Sequence, residues 1–244
     1  MTASVSAIEL AVGLGATLLA GLVRGFSGFG SAMILTPALS ALYGPAAAVP
    51  LGMALEIFVT VPLLPGAAGL VEWRRIGALS LAASAAVPLG AWLLLHVPAT
   101  PMRIAISAVI IGFVAILAFG WRYSGRPSAA ATLMTGAASG VLTGASGMGG
   151  PPVVFYYLSG GAPSAHVRAS FIVYFALIDV VGLLAMAAGG AIDSLTLERA
   201  LWLTPAFLAA AWLGARAFRG ASDAFYRRVA LIILAAIAVA SLAF

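Results

Sequence analysis

Apolar residues run through this chain in stretches long enough to cross a bilayer, one after another, with only short polar breaks between them. A spanning helix takes about 20 mostly apolar residues. The apolar segments fall at 5–24, 31–43, 45–64, 75–97 and 101–120, then at 127–143, 150–160, 164–188, 198–216 and 224–243. They leave short loops and no water-soluble domain. Only 8% of the residues are charged, against about 25% in ordinary soluble domains, so the sequence predicts an all-α integral membrane protein. The first run has no positive residue before it and contains Glu9. It therefore lacks the charged start of a signal peptide and is expected to remain as a transmembrane segment.

The segments fall into two sets of five because the chain repeats itself. Gly21-Leu-Val-Arg-Gly25-Phe-Ser27-Gly28-Phe-Gly30 aligns without gaps on Gly140-Val-Leu-Thr-Gly144-Ala-Ser146-Gly147-Met-Gly149, with five identities in ten, four glycines and the serine. Further on, Arg75 and Gly90 fall opposite Arg199 and Gly214, and Met102-Arg103-Ile104-Ala105 opposite Arg227-Arg228-Val229-Ala230. Two homologous halves are expected, 1–122 and 123–244. The second segment of each half is too short to span comfortably, since ten to thirteen helical residues rise only about 15 to 20 Å against a hydrocarbon core of about 30 Å. It reads as a half-helix.

Arginines decide how the halves are related. If each half makes an odd number of crossings, Arg24, Arg74, Arg75, Arg122, Arg126, Arg168, Arg216, Arg219, Arg227 and Arg228 fall on one side and only Arg103 and Arg199 on the other. With four crossings per half the bias disappears. The positive-inside rule therefore predicts two inverted-topology repeats, both termini outside, with the first two segments of each half either spanning or forming a re-entrant hairpin. Trp73, Trp121 and Trp202, near segment ends, fit an aromatic belt.

The repeated Gly-x-Ser-Gly-x-Gly sits where segment one ends and segment two begins. Glycines let the backbone turn sharply, and open backbone at membrane depth is tolerated only inside protein or beside a watery cavity. Inverted repeats with helices broken at matching positions bring those breaks together near the midplane, where half-helix N-termini present N–H groups and a positive dipole end to an anion. Segment two would start at Ser31 and at Gly150-Pro151, with proline suited to a first helical position, and Ser27 and Ser146 would add hydroxyls. Gly21-x-x-x-Gly25 and Gly140-x-x-x-Gly144 also fit the small-xxx-small pattern of close helix packing, and for these outer glycines packing is the expected role.

Ionisable residues deep in a span are the second pointer, because they are expensive there. Glu56 lies within segment three and Asp179 within segment eight. Either could couple transport to protons, and Arg24 or Arg168 could draw an anion or pair with them; a buried structural pair is the competing role. His166, in a turn-rich loop, and His96, before Val97-Pro98, read as interfacial. Two isolated histidines make no metal site.

Composition removes other classes. The chain has no cysteine, lysine, asparagine or glutamine, which excludes a thiolate metal site, a disulfide, a Walker lysine and a Schiff-base lysine. No cofactor or metal is expected. The net charge of +5 is assigned to cytoplasmic loops and not to nucleic acid.

The duplicated glycine-serine break, Pro37 and Leu39 after its first copy, Gly-Gly-Pro-Pro at 149–152 after its second, and the chain length together resemble the TauE/SafE family, also called the sulfite exporter or DUF81 family. The resemblance covers essentially the whole chain. It implies a bacterial inner-membrane transporter, mostly exporting, of small sulfur-containing anions such as sulfite and sulfoacetate, driven by an ion gradient. By position the family's central motif falls on Gly25, Ser27, Gly28 and Gly30 and on Gly144, Ser146, Gly147, Gly149, Gly150 and Pro151; Ser31 and Ala32 depart from a fuller run of small residues. With no lysine present, Arg24, beside the first break, is the leading cation for the anion, Glu56 and Asp179 are the candidate coupling residues, with H+ the suspected ion, and Arg168 is a further candidate. The runner-up is an enzyme, because Gly144-Ala-Ser-Gly147 resembles the Gly-x-Ser-Gly of rhomboid proteases, whose serine needs a histidine from another helix. The duplicated motif and the lack of a histidine inside any clear helix weigh against it, so no enzymatic role is expected. An uncoupled small-anion channel is the third reading. Small-residue faces would serve a homodimer as well as internal packing.

Overall fold

The computed structural model describes residues 7–98, 100–101, 108, 128–158 and 162–241. Its helices are α1 (Ala7–Ser27), α2 (Ala32–Tyr43), α3 (Pro45–Thr60), α4 (Trp73–His96), α5 (Ala129–Ser146), α6 (Gly150–Leu158), α7 (Ser164–Ala188), α8 (Ser194–Arg219) and α9 (Asp223–Ser241). Short helical turns carry α3 on to Leu70. All of the expected segment at 101–120 except residues 101 and 108, the aligned Met102–Ala105, the arginines at 103, 122 and 126, Trp121 and the boundary near 122 lie outside the described residues. Among the described residues there is no strand, and four helices are long and apolar enough to cross a membrane: Pro45–Leu70, α4, α7 and α8. The chain is an all-α integral membrane protein. As the sequence predicts, α2 and α6 are short, with 12 and 9 residues.

Local chemistry sets several helix ends. Gly44, at φ 80°, ends α2 and Pro45 opens α3 directly, a position where the missing N–H would have no helical partner in any case. Ser128 caps α5 by accepting from the Ala131 N–H, and Asp193 caps α8 by accepting from the Thr196 N–H. One boundary differs from expectation. The first helix runs on to Ser27, so Arg24 lies inside α1 with 2% of its surface exposed and is not a loop arginine. Arg168 likewise belongs to the start of α7.

The most extensive contacts pair α1 with α8 and α4 with α5. Both crossings use glycine to bring backbones together. A Cβ on Gly25 would collide with the Ala211 carbonyl and one on Gly214 with the Leu22 carbonyl; at the other crossing Gly144 faces the Val87 carbonyl and Gly90 the Val141 carbonyl. The small-xxx-small reading of the outer glycines matches this geometry. Register gives direction. Gly21 faces Phe207 and Ala210 while Gly25 faces Ala211 and Ala215, so α1 and α8 run parallel; Gly136, Gly140 and Gly144 meet Leu79, Ala83 and Val87, so α5 and α4 do too. Helices α3 and α7 run antiparallel, since Met53 lies against Gly182 whereas Glu72, farther along the chain, donates its N–H to Ser170 Oγ at 3.3 Å. Leu81, Leu184, Leu201 and Trp202 stand exposed on the outside, as lipid-facing side chains do.

Gly214→Ala should therefore force the α1–α8 crossing apart and lower stability by about 2 kcal/mol, read as a fall in the unfolding temperature of the detergent-solubilised protein. Gly220→Ala, with nothing within 4 Å of an added Cβ, serves as the control and should leave it unchanged. Equal unfolding temperatures for the two variants would mean that the helices do not approach this closely.

Candidate functional site

The two breaks are built alike. Gly28 and Gly30 have φ of 80° and 91°, and Gly147 has φ of 71°, backbone that a residue with a Cβ rarely adopts. The Gly28 N–H returns to Arg24 O at 2.8 Å and the Gly147 N–H to Thr143 O at 2.7 Å, so both helices end in the same turn. Ser27 and Ser146, expected to offer hydroxyls to a ligand, make hydrogen bonds within their own breaks. Ser27 Oγ lies 2.7 Å from Val23 O and 2.6 Å from Phe29 O and accepts from the Phe29 N–H at 3.2 Å. Ser146 Oγ donates to Leu142 O at 2.8 Å and accepts from the Met148 N–H at 3.2 Å. The reason is local: a serine in the last helical turn always has the carbonyl four residues back within reach.

A helix end leaves carbonyls without partners, and side chains meet those of α1. Arg168 Nη2 donates to Gly25 O at 2.6 Å and Arg168 Nε to Phe26 O at 3.1 Å. Tyr226 OH donates to Ser27 O at 2.7 Å and Arg24 Nη1 to Gly28 O at 2.9 Å. Arg168 is thus a cap on α1, with its guanidinium carbon 4.6 Å from the centre of the Phe218 ring. Phe26 completes this cluster, edge-on to Phe218 and Phe225 and stacked on Tyr226.

Between the breaks lies a cavity of about 20 Å³, room for roughly one water molecule. Gly30, Ser31, Ala32 and Met33 line it from the first break and Gly147, Met148 and Gly150 from the second, together with Arg24, Glu56, Phe175 and Asp179. The N-terminal turns of α2 and α6 thus face one space, where their dipoles favour negative charge. The breaks also touch, since a Cβ on Gly150 would sit 2.8 Å from Met33 Cε.

The charged groups are deeply buried, Arg24 at 2% exposure, Glu56 at 3% and Asp179 at 5%. Arg24 Nε approaches Glu56 Oε2 to 3.1 Å, Arg24 Nη2 donates to Thr60 Oγ1 at 2.8 Å, and the guanidinium carbon lies 5.5 Å from the centre of the Phe175 ring. Of the two arginines the sequence offered as partners for Glu56, Arg24 takes the role. The contact is an ion pair without an aligned hydrogen bond: neither Glu56 oxygen accepts one from any described residue. Two unit charges 4 Å apart at an effective dielectric of 20 interact by about 4 kcal/mol, so a second carboxylate beside this pair weighs heavily.

The cavity gathers Arg24, Gly30, Gly147, Gly150, Glu56 and Asp179 of the residues singled out from sequence. It does not gather the others. Gly25 and Gly144 sit at the helix crossings, Gly28 packs against the Arg168 carbonyl, and Gly149 against Ser139 and Thr143; Ser27, Ser146, Pro151 and Arg168 do not line it either. Sequence reasoning passed over Thr60, Met33, Met148 and Phe175. Thr60 carried a legible signal, because it lies one helical turn beyond Glu56 and so on the same face. Among the described residues no group of three metal-ligating side chains occurs, and neither histidine is a partner of Ser146 Oγ.

Two broken helices that meet at a buried, charged cavity within a multi-pass helical protein are a feature of membrane transporters. The chain belongs to the sulfite exporter TauE/SafE family, whose profile matches residues 13–241. A probable sulfite/organosulfonate exporter TauE of Cupriavidus necator is 27% identical to it over 214 residues, which cover 85% of this chain and 84% of that one. No solved structure matches it.

Replacing Arg24 alone with methionine should leave Glu56 buried without its counter-ion and destabilise the protein by about 3 to 5 kcal/mol. The double variant Arg24→Met/Glu56→Met should recover much of that loss. Thermal unfolding of the three proteins checks this, and a double variant no more stable than Arg24→Met would mean that Arg24 does not hold Glu56 energetically.

Proposed function

We propose that this protein is a secondary transporter that exports a small sulfur oxyanion, sulfite or an organosulfonate such as sulfoacetate, across the bacterial inner membrane. The observation that carries this reading is the convergence of Arg24 and the first turns of α2 and α6 on one cavity. Negatively charged oxygens would take the uncommitted N–H groups of the guanidinium, which has five and donates one to Gly28 O and one to Thr60 Oγ1. Backbone N–H groups at Gly30, Ser31 and Gly150 would complete the shell, with Ser27 and Ser146 holding those turns in place. The unbranched side chains of Met33 and Met148 are the adaptable part of the wall and would withdraw as the anion enters. The similarity to a probable sulfite/organosulfonate exporter of Cupriavidus necator supports the substrate class.

Residues 1–122 and 123–244 act in this reading as inverted repeats that rock against each other, with both termini outside. The exchange of first helices between halves supports it, α1 lying on α8 and α5 on α4, as does the antiparallel course of the corresponding helices α3 and α7. Glu56 and Asp179 supply the coupling. A space with room for about one water molecule, lined by residues from both halves, favours alternating access over an open anion channel. The commitment of the Ser146 hydroxyl within its own break weighs against a protease.

Purified protein in proteoliposomes should take up radiolabelled sulfite or sulfoacetate saturably and in response to an imposed pH gradient. Arg24→Gln should lower the rate about 10- to 100-fold by removing charge-assisted hydrogen bonds to the anion. Flux that rises linearly with concentration would assign a channel instead, and no flux of either compound would separate this chain from those substrates.

A further inference from the structure

We infer that the anion enters this site together with a proton: it takes the place of Glu56 at Arg24, and the carboxyl pair Glu56 and Asp179 takes up the proton that keeps the charge of the site constant. The inference rests on the proposed anion site and adds the charge of its cargo and the direction in which protons move.

The argument begins with a buried carboxylate that has not been satisfied. Buried polar atoms almost always find hydrogen-bond partners, yet both oxygens of Glu56 lack one among the described residues. Glu56 lines the cavity and touches Arg24 only through the 3.1 Å contact to Nε. It therefore occupies the position at the guanidinium that an oxyanion would use, as an internal counter-anion. Asp179 lines the same space from α7. The charged and titratable groups facing Glu56 are then Arg24 from α1 and Asp179 from α7, with Tyr174, five residues before Asp179, as the next titratable group. From α2, α6 and the two breaks the cavity receives only uncharged residues.

One cation cannot hold two carboxylates and an arriving anion where all three charged side chains are this deeply buried. Each added like charge must be neutralised or expelled, and neither carboxylate can leave its helix. Protonation is what remains, and because the two carboxyl groups are neighbours the proton belongs to the pair. Linkage is reciprocal, so if anion binding favours protonation, protonation favours anion binding to the same degree. With one proton per monoanion the loading step is electroneutral. When the anion leaves, the proton leaves and Glu56 returns to Arg24, so the empty site also closes without an unpaired cation. Proton and anion accordingly travel in the same direction, so export carries a proton outward with each anion and draws on the outward gradient of the anion itself.

The test uses the full-length protein in lipid nanodiscs and methanesulfonate, which stays a monoanion from acid to alkaline pH, so that any pH dependence belongs to the protein. Titration calorimetry in buffers of different ionisation enthalpy counts the protons taken up per anion. The expected result is uptake approaching one proton per anion at alkaline pH, with Kd rising about tenfold per pH unit there. At acid pH, where the pair is already protonated, Kd should level off. Glu56→Gln should flatten this dependence and bind at alkaline pH as the unaltered protein does at acid pH. Should Glu56→Gln fail to fold, Asp179→Asn and the proton count of the unaltered protein decide the matter. Methanesulfonate binding with a pH-independent Kd and no proton uptake overturns this inference and leaves the anion site standing. An absence of methanesulfonate binding at every pH overturns the sulfonate reading and, with it, the inference.

Discussion

The guanidinium of Arg24 is the interaction on which the centre of the molecule depends. A buried cation is costly unless its donors and its charge are met at once, and here the partners come from different parts of the chain. Gly28 O belongs to the broken end of its own helix, Glu56 and Thr60 to α3, and the Phe175 ring to α7. The break cannot straighten without taking Gly28 O away from the guanidinium. Helix α3 cannot slide without moving both the counter-charge and the hydroxyl. The cavity is therefore small because its walls are tied to a single side chain.

That side chain also makes the two breaks unequal. In the sequence repeat Arg24 stands opposite Thr143, whose hydroxyl is buried without a hydrogen-bond partner among the described residues. The first break is held by charged and phenolic donors, Arg24, Arg168 and Tyr226. The second relies on neutral contacts, among them Ser139 Oγ donating to Gly149 O at 2.5 Å. Backbone geometry is nearly duplicated and charge is not. Helices α1 and α3 bring the cation and a carboxylate, and α7 brings a second carboxylate and an aromatic wall, so the cavity is complete only where these helices meet.

Much of this was legible in the sequence because it follows from local chemistry. Apolar length gives the helices, and paired glycines beside a serine give the breaks within a few residues of where they occur. Arg24 stands out as the arginine beside a break, and Glu56 and Asp179 as carboxylates in apolar surroundings. The parts that were not legible depend on partners distant in the chain. Nothing around Gly25 names Ala211 as its neighbour, since a glycine face accepts any close-packed backbone. Arg24 and Arg168 look alike as sequence, yet one turns inward to a carboxylate and the other caps the carbonyls of Gly25 and Phe26. The sequence shows the serine hydroxyls without showing that each has an acceptor four residues back in its own helix.

The crossing of α1 with α8 has a consequence for how the protein is made. Chains enter the membrane from the N-terminus as they are synthesised, and α1 is the earliest of the described helices to arrive. Its glycine face is covered by residues 207–215, which leave the ribosome only when most of the chain has already been inserted. Until then Gly21 and Gly25 present a bare, closely approachable backbone surface to lipid and to other nascent helices. Assembly of the first half is therefore completed by the second, and the interval between the two is when a chaperone or an insertase has most to protect.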